Sequence, residues 1–411
     1  MRLLVVYPYF VDQSAAGHSL MFETLCGMAR MGHEVTVVSG ESGYMQGQPV
    51  SAKPWYRRIV YTEQMGPIRV LRTLSYTGHQ KGMISRLLSY ALLSALSPVA
   101  VLMARKADLA LLSPPPLYPI FTSLLACWLR RIPAVTEVRD LWPGSIVQMG
   151  LMNNPWLVRV TSWMERVVYD QSHQIIALTQ GIAADIVSRG WPARKVHILP
   201  CAVDTGRLAP DREAGEAVRS AHGWAGKFVL MYFGAVGEAN NLPVILRTAQ
   251  RLKSRPDIVL AVVGDGFRRK WLVEQVMLHQ LGNLKVLPAV PKAQAAAYLN
   301  AADACVVTLQ DIPVFAGAIP TKLIEYMACG RPVLCGVKGE ARRIVEEAGG
   351  GFYFDPDDDA QLAMLTCELL EAPAKALQLG QQGRRYVQTN FDSAVRQGRM
   401  AALLEEVLRH A

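Results

Sequence analysis

A chain of 411 residues, half of them apolar, is too long for one ordinary core and too short for three, so two domains of about 200 residues are expected. Its seven cysteines have no CxxC spacing, and their odd number excludes a complete disulfide framework, which predicts a reducing, cytoplasmic setting. The net charge of +9 is concentrated in residues 1–205, which carry 19 Lys plus Arg against 12 Asp plus Glu. We therefore expect the first half to meet an anionic partner.

The nature of that partner is narrowed by motifs that the sequence lacks. No basic helix interleaved with aromatic residues and no zinc-finger spacing is present, which argues against nucleic acid. Phospholipid head groups or a diphosphate substrate fit the charge better. The eight histidines are dispersed, and no HxxxH or DxD pair flanks a predicted cleft strand, so no bound metal is expected.

The first half alternates short apolar segments with helical segments, the pattern of a parallel sheet with crossover helices. Its predicted strands are LLVVYPYF, HEVTVVSG, RVLRTL, LALLS, AVTEVR and IIALT. The first of these leads into Asp12 and Gly17 and is interpreted as a strand rather than as a signal peptide. A helix over residues 19–31, closed by Gly32, is predicted to join the first two strands.

Residues 83–103 approach the length of a membrane span, but Arg86, Pro98 and several serines interrupt the apolar run. Three interpretations stay open here. The segment is a pair of buried core helices, an interfacial helix that dips into lipid, or a true span, and the first is favoured.

A second series of strands begins near residue 204 with FVLMYFG, IVLAVVGDG, LKVLPAV, ACVVTL and PVLCGV. The Pro-, Gly- and Asp-rich stretch near 200–212 predicts the linker. We therefore predict an α/β protein with a Rossmann-like domain over 1–203, a second over 204–385, and a C-terminal helix over 386–411 that packs back on the first domain. Parallel sheets bind ligands at the carboxyl ends of their strands, so the two domains are expected to face each other across a ligand cleft.

The most informative stretch is AIPTKLIEYMACGRPV, residues 318–333. Pro320 stands where a helix would begin, so the amides of residues 321–323 are expected to be free to bind phosphate. Thr321 and Glu325 lie four residues apart on one helical face. A carboxylate behind the phosphate site can accept hydrogen bonds from both hydroxyls of a ribose. The alternative is that Glu325 merely pairs with Lys322 in solvent.

This stretch, together with VVGDG at 262–266, resembles the donor-binding domain of the retaining glycosyltransferases of family 4, which have the GT-B fold. The segment EVRDLWPGSIVQMG at 137–150 narrows the resemblance to the WbuB-like branch, which builds bacterial surface polysaccharides such as O-antigen and capsule. The resemblance extends over nearly the whole chain. It implies that Glu325 binds the ribose of the donor.

Further donor-binding positions follow from the same resemblance. Gly17 matches the loop that approaches the diphosphate, although a plain turn is the alternative there. The turn from Gly264 to Gly266 lies near the nucleotide, and Val290 and Lys292 match the segment over which the base lies. The complete set of candidate donor-binding residues is Gly17, Gly234, Gly264, Asp265, Gly266, Arg268, Val290, Lys292, Gly317, Ile319, Thr321, Lys322 and Glu325.

Three positions depart from the family pattern. Gly317 stands where a carboxylate usually touches the donor sugar, and Ala235 and Asn240 stand where an Arg and a Lys usually clamp the diphosphate. A buried diphosphate still needs neutralising charge, so we expect Lys322, Arg268 and Arg139 to replace the missing cations. For Arg268 the alternative is a solvated helix face shared with Arg269 and Lys270.

Arg139 and Asp140 are the candidate catalytic residues, because Arg139 occupies the position where many family members place a His next to the donor sugar. A guanidinium stays protonated and does not act as a general base. The resemblance implies that the leaving phosphate itself receives the acceptor proton while amides and cations stabilise its charge. A purely structural ion pair between Arg139 and Glu137 is the alternative.

The predicted function is metal-independent, retaining transfer of a hexose or amino-sugar from a nucleotide diphosphate sugar, with UDP favoured, to a lipid-linked saccharide. The expected location is the cytoplasmic face of the cell membrane, as a peripheral protein, with no further cofactor. A nucleotide-sugar epimerase of the same fold is disfavoured because the first domain lacks the carboxylates that we expect such a site to need. The third interpretation is a nucleotide-binding partner subunit whose activity was lost along with the departures at 235, 240 and 317.

Overall fold

A computed structural model describes residues 1–12, 20–41, 59–75, 83–148, 150 and 152–410. The chain divides into two compact units, unit 1 with Met1–Pro200 and Ala394–Ala411, and unit 2 with Cys201–Ser393. The sequence placed the end of the second domain at 385. In the structure the segment after 385 still belongs to a helix of unit 2, and the chain passes into unit 1 at residue 394.

The described residues of unit 1 form an eight-stranded sheet in the order β3-β4-β2-β1-β5-β6-β7-β8. Its strands are Arg2–Val6 (β1), Glu34–Gly40 (β2), Val60–Met65 (β3), Ile68–Thr73 (β4), Leu109–Leu112 (β5), Ala134–Val138 (β6), Gln174–Ala177 (β7) and Val196–Ile198 (β8). The sequence did not identify β3 or β8. Strand β3 is antiparallel to β4, so the sheet is not purely parallel as expected. An antiparallel edge strand joined by a tight turn is common in such sheets.

Six helices connect the described strands of unit 1: Leu20–Arg30 (α1), Met83–Met103 (α2), Leu117–Leu129 (α3), Gly144–Gln148 (α4), Pro155–Gln171 (α5) and Gln180–Ser188 (α6). Helix α1 confirms the prediction for residues 19–31 over its described part. Gly32, just beyond it, has a φ of +88°, which favours glycine at a helix end.

Helix α2 corrects the favoured expectation of two core helices over 83–103, because it is one continuous helix. Pro98 lies inside it rather than ending it. The buried residues Leu93, Ala100 and Val101 anchor the helix to the unit, and this packing outweighs the one hydrogen bond that proline removes. Among the described residues, no helix has the length and apolar character needed to cross a membrane.

The described residues of unit 2 form a six-stranded parallel sheet in the order β11-β10-β9-β12-β13-β14. Its strands are Phe228–Phe233 (β9), Ile258–Val263 (β10), Leu284–Leu287 (β11), Ala304–Thr308 (β12), Val333–Gly336 (β13) and Gly351–Tyr353 (β14). Its helices are Arg212–His222 (α7), Leu242–Arg251 (α8), Arg269–Leu278 (α9), Ala295–Asn300 (α10), Thr321–Ala328 (α11), Glu340–Ala348 (α12), Asp359–Glu371 (α13) and Pro373–Asn390 (α14).

The last helix, Ser393–His410 (α15), packs into unit 1. Its buried residues Met400, Leu404 and Val407 join the hydrophobic core that contains Leu3 and Leu25. Helix α15 is thereby held beside β1 and α1. This packing places Arg396, in the first turns of α15, inside unit 1.

Candidate functional site

The candidate site of unit 2 starts from the order of its strands. Strand β9 lies between β10 and β12, so the chain leaves the carboxyl ends of β9 and β12 in opposite directions. Ligands of parallel α/β sheets bind at such a point. Helix α11, which follows β12, begins at this edge of the sheet.

Glycines let two loops of unit 2 approach each other at this edge. A Cβ atom on Gly264 would overlap the Gly234 carbonyl, and one on Gly266 would overlap the Val236 carbonyl. Gly234 has a φ of +145°, and its amide donates to the Val263 carbonyl over 2.9 Å. The amide of Gly234 is thus occupied, and the positive φ is what favours glycine at this position. A Cβ there would make an ordinary contact with Lys322, 3.6 Å from its Nζ atom.

Helix α11 begins at Thr321, directly after Pro320, as the sequence predicted. One of the three amides expected to be free is in fact used, because the Leu323 amide donates to the Pro320 carbonyl over 3.0 Å in a tight first turn. The buried Tyr326 fixes the helix to the end of β9. Its hydroxyl donates to the Phe233 carbonyl over 2.7 Å and accepts from the Phe233 amide over 2.8 Å.

Lys322 projects from the first turn of α11 to the loop that follows β9. Its ammonium donates to the Asn240 Oδ1 atom over 2.8 Å and to the hydroxyl of the buried Tyr232. The residue keeps a partly exposed surface, but its ammonium is enclosed. Burial lowers the pKa of Lys322 to about 7, against a smaller opposing effect of the Glu325 charge. Lys322 therefore contacts Asn240, the residue found where the resemblance implies a lysine, and does so from helix α11 rather than from the loop itself.

Glu325 does not pair with Lys322 in solvent, which was the alternative drawn from the sequence. It accepts a hydrogen bond from Lys292, and only 14% of the Glu325 side chain and 17% of the Lys292 side chain are exposed. The pairing follows from the turn Lys292–Gln294, which places that ammonium beside the helix. Lys292, which was predicted to lie near the base, thus pairs with the Glu325 carboxylate, which was predicted to bind the ribose.

Arg268 lies on the surface of the unit, with 43% of its side chain exposed, which is in line with the solvated alternative. It donates through Nε to the Glu238 Oε2 atom over 2.6 Å, with a second contact to the same carboxylate. Its guanidinium lies over the Trp271 ring, 5.5 Å from the ring centroid. Because Glu238 balances this charge, Lys322 is the better-placed cation for a diphosphate.

The other predicted donor residues occupy varied positions. Asp265 is exposed, and its carboxylate accepts from the Gly266 amide over 2.8 Å. Val290 and Ile319 pack at the margin of the hydrophobic core. Gly317 ends the short helical turn Pro313–Gly317 ahead of α11. Gly17 lies outside the described residues.

The candidate site of unit 1 lies at the carboxyl ends of its central strands. Arg139 directly follows β6, and 13% of its side chain is exposed. Its Nη1 atom donates to the hydroxyl of Tyr7, which follows β1, over 3.3 Å, and the guanidinium lies 5.6 Å from the Tyr7 ring centroid. The Arg139 Nε atom is 3.9 Å from the Glu137 Oε2 atom.

Glu137 has a second and closer guanidinium partner, Arg396 of α15. The carboxylate is fully buried and also accepts from the Ser113 hydroxyl over 3.1 Å. Burial raises the pKa of Glu137, but the charges of Arg139 and Arg396 and its hydrogen bonds outweigh burial and hold the pKa below its ordinary value. The pair of Arg139 and Glu137, which was the structural alternative drawn from the sequence, is thus one part of a larger cluster that does not depend on Arg139 alone.

Asp140, the second candidate catalytic residue, is partly buried and accepts from the Ser145 hydroxyl over 3.1 Å. Burial raises its pKa, and the hydrogen bonds from Ser145 and the Leu141 backbone oppose that effect. Asp140 is thus held by α4, which begins at Gly144. Among the described residues there is no group of three or more His, Cys, Asp or Glu side chains that could hold a metal ion.

Sequence reasoning missed several residues that position these groups. From the sequence, Tyr232 and Tyr326 were interpreted as apolar residues of a strand and a helix. Arg396 lies 259 residues after Glu137 in the chain. Tyr7 could have been found, because a tyrosine directly after the first strand of a parallel sheet stands at its ligand edge. No local signal marks Arg396 as a partner of Glu137.

Two protein families match the chain in succession. The family described as Glycosyl transferase 4-like domain matches residues 21–202, and the family described as Glycosyl transferases group 1 matches residues 216–386. Together they extend over most of the chain and follow the division into units 1 and 2.

Similar proteins agree with these families, and a solved structure agrees with the fold. The chain is 26% identical over 313 residues to the probable glycosyltransferase WbjE of Pseudomonas aeruginosa, covering 74% of this chain and 76% of WbjE. It is 27% identical over 308 residues to a GDP-mannose-dependent alpha-(1-6)-phosphatidylinositol monomannoside mannosyltransferase of Mycolicibacterium smegmatis, covering 68% and 80% of the two chains. The structure of Anabaena HepE in complex with UDP-glucose superimposes with a TM-score of 0.73 at 17% identity, covering 99% and 100%. The chain is therefore a glycosyltransferase of the GT-B fold, built from a glycosyl transferase 4-like domain and a glycosyl transferases group 1 domain.

Proposed function

We propose that this glycosyltransferase transfers a hexose or amino-sugar, with retention and without a metal, from a UDP sugar to a lipid-linked saccharide. The product would belong to a bacterial surface polysaccharide of the kind made by the WbuB-like branch. The reaction would take place at the cytoplasmic face of the membrane. The observation that carries the proposal is the arrangement of Lys322, Glu325 and Lys292 at the start of α11.

The donor class is supported by the chemistry of that arrangement. Lys322 brings one ammonium to the loop after β9, beside Gly234 and Asn240, where a phosphate oxygen would accept a hydrogen bond from it. Glu325 offers a carboxylate for ribose hydroxyls once Lys292 moves aside or shares it. The donors named for two similar proteins, GDP-mannose and UDP-glucose, share a nucleotide diphosphate.

The transfer step needs charge stabilisation rather than an enzymic nucleophile. The acceptor hydroxyl oxygen bonds to the anomeric carbon on the face from which the diphosphate oxygen departs, and that phosphate takes the acceptor proton. Arg139 would stabilise the charge that grows on the departing phosphate. The Tyr7 hydroxyl and Glu137 carboxylate orient its guanidinium.

The lipid-linked acceptor is supported by the named relative that mannosylates a phosphatidylinositol glycolipid. The surplus of Lys and Arg in residues 1–205 gives the same indication, since anionic head groups accompany such acceptors.

Glu325→Ala tests the donor site by calorimetry with UDP, GDP and dTDP. The wild type is expected to bind UDP best. The variant should lose roughly 1.5–3 kcal/mol of binding free energy, because a charge-assisted hydrogen bond is removed. Glu274→Ala, an exposed carboxylate on α9 of the same unit, serves as the matched control.

Equal UDP affinity for Glu325→Ala and the wild type, with both folded, would remove Glu325 from the site. Tighter binding of GDP than of UDP would show that the donor carries guanine rather than uracil. Nucleotide binding without transfer to any lipid-linked saccharide would favour a partner subunit instead.

A further inference from the structure

The exposed large apolar residues of unit 1 are concentrated on three neighbouring helices. On these helices the exposed fractions range from 39% to 69%, and five further exposed apolar residues in the described part of unit 1 lie elsewhere: Met31, Ile59, Val187, Ile198 and Val395. Those on the helices are Leu88, Val99, Leu102 and Met103 of α2, Leu125, Trp128 and Leu129 of α3, and Trp156, Leu157 and Trp163 of α5. We call this set, with the exposed alanines of α2, the three-helix face.

The three helices lie side by side, so these residues form one surface. The rings of Tyr90 and Tyr118 are 6.0 Å apart, and the Arg130 Nη1 atom donates to the Val101 carbonyl beyond the other end of α3. Helices α2 and α3 therefore run in the same direction in contact with each other. The rings of Phe121 and Trp163 are 5.5 Å apart and join α3 to α5.

Helix α2 contributes an apolar stripe along its length. Leu88, Ala91, Ala95, Val99 and Leu102 are all exposed, and their spacing of three or four residues puts them on one side of the helix. From Leu88 to Leu102 the helix rises about 20 Å. A stripe of this kind on a surface helix normally faces a core, but here it faces outward.

The charges of the three-helix face have one predominant sign. Helices α2 and α3 contain no Asp or Glu. Five exposed cations lie on or just after the helices: Arg105, Lys106, Arg131, Arg159 and Arg166. Of these, Arg105 has its Nη1 atom 3.7 Å from the Oε1 atom of the exposed Glu34. The two carboxylates of α5 are engaged elsewhere, since Glu165 is buried with Arg189 and Asp170 accepts from the Trp191 Nε1 atom over 2.8 Å.

We propose that the three-helix face docks on an anionic lipid bilayer, with the helix axes along the membrane plane. Exposed tryptophans and leucines beside arginine and lysine match a bilayer interface, which takes up amphipathic rings and binds cations through its head groups. A second copy of the chain fits less well, because a two-fold contact through this face would bring like charges together.

This inference deepens the proposed function, from which it takes the lipid-linked acceptor. Crossover helices start at the carboxyl edge of a parallel sheet, so the beginning of α5, with Trp156 and Leu157, lies at the edge where Arg139 lies. A membrane bound there would present a lipid-linked saccharide on the side of unit 1 that holds Arg139.

Co-sedimentation of the full chain with vesicles of phosphatidylcholine and phosphatidylglycerol tests the proposal. The variant Leu102→Ser/Trp128→Ser/Trp163→Ser should lose at least about tenfold in vesicle affinity. The matched control Met277→Ser/Leu278→Ser/Met364→Ser removes equally exposed apolar residues of unit 2 and should bind like the wild type. Vesicle affinity that is the same for both variants would overturn the proposal.

A second variant keeps the test decisive if the first unfolds. Arg105→Gln/Lys106→Gln/Arg131→Gln leaves the apolar residues in place and should weaken binding to phosphatidylglycerol vesicles severalfold, with less effect on pure phosphatidylcholine. Unchanged binding of this variant to phosphatidylglycerol vesicles would contradict the proposal that the face prefers anionic lipid. Loss of self-association rather than of vesicle binding in the apolar variant would assign the face to a second copy of the chain.

Calorimetry with UDP on the same preparations separates this proposal from the donor site. The face variants should keep the nucleotide affinity of the wild type. A chain that binds vesicles through this face but binds no nucleotide would contradict the proposed function and leave the docking face standing.

Discussion

Arg139 of unit 1 and Lys322 of unit 2 both lie at the carboxyl edge of a largely parallel sheet, but their charges are held in different ways. Arg139 shares the buried carboxylate of Glu137 with Arg396. Lys322 donates to two neutral groups, the Tyr232 hydroxyl and the Asn240 amide oxygen. A guanidinium beside a carboxylate keeps its proton, whereas an enclosed ammonium among neutral groups titrates near neutral pH.

The two residues are therefore suited to different roles. In unit 1 the guanidinium of Arg139 keeps its positive charge beside Tyr7 and Glu137, which is what the proposed stabilisation of a departing phosphate needs. Unit 2 holds an ammonium whose charge depends on what binds beside it. A diphosphate would favour the charged form of Lys322 by adding its negative charge to that of Glu325.

Arg396→Ala should have the largest effect on stability and would break the cluster of unit 1. It leaves the buried Glu137 with Ser113 and the more distant Arg139, and loss of one partner from a buried pair costs about 3–5 kcal/mol. Chemical denaturation measures the free energy of unfolding. Arg399→Ala, exposed on the same helix, is the control, and equal stability of the two variants would show that Glu137 does not need Arg396.

Arg139→Ala tests whether this guanidinium acts in the chemical step rather than in the fold. Since Glu137 keeps Arg396 and Ser113, the melting temperature should change little. Turnover should fall about a hundredfold or more, as for loss of one group that stabilises transition-state charge, while donor affinity changes far less. A variant that melts early but turns over normally would assign Arg139 to the structural pair instead.

Lys322 should make donor binding depend on pH. The free ammonium loses its proton above a pKa of about 7, and a bound diphosphate raises that pKa, so binding takes up a proton. Affinity should be constant below about pH 7 and fall by up to about tenfold per unit above it. Calorimetry in buffers of different ionisation enthalpy measures the uptake.

Lys322→Met is the matched control for that pH dependence and should abolish the proton uptake. It should also melt higher than the wild type at about pH 6. The unfolded chain binds the lysine proton up to its ordinary pKa of 10.5, so the burial penalty is complete below about pH 7 and diminishes as pH rises towards 10.5. Identical pH slopes for the variant and the wild type would exclude Lys322 as the titrating group.

Much of the architecture was predictable from local patterns. The strands around LLVVYPYF and IVLAVVGDG, the helix from Thr321 and the glycines at 264 and 266 follow from hydrophobic periodicity, turn chemistry and the proline at 320. These signals depend on neighbours within a few residues, so the sequence alone carries them. The antiparallel strand β3 was not predicted from the sequence, because its residues alternate only between exposed and half-buried positions.

Only the tertiary structure decided which partner each charged residue has. From the sequence, Lys322 was the possible ion-pair partner of Glu325, but in the structure the partner is Lys292. For Arg139 the possible partner was Glu137, and in the structure Glu137 also pairs with Arg396, which lies far away in the chain. The sequence left open whether 83–103 is buried, and packing against α3 buried one side of the helix and exposed the other. The energy of an ion pair depends on the distance between the two groups and on their burial, and chain order specifies neither. Composition and periodicity therefore determined the sheets and helices, and packing determined which charged residues of the site pair with each other.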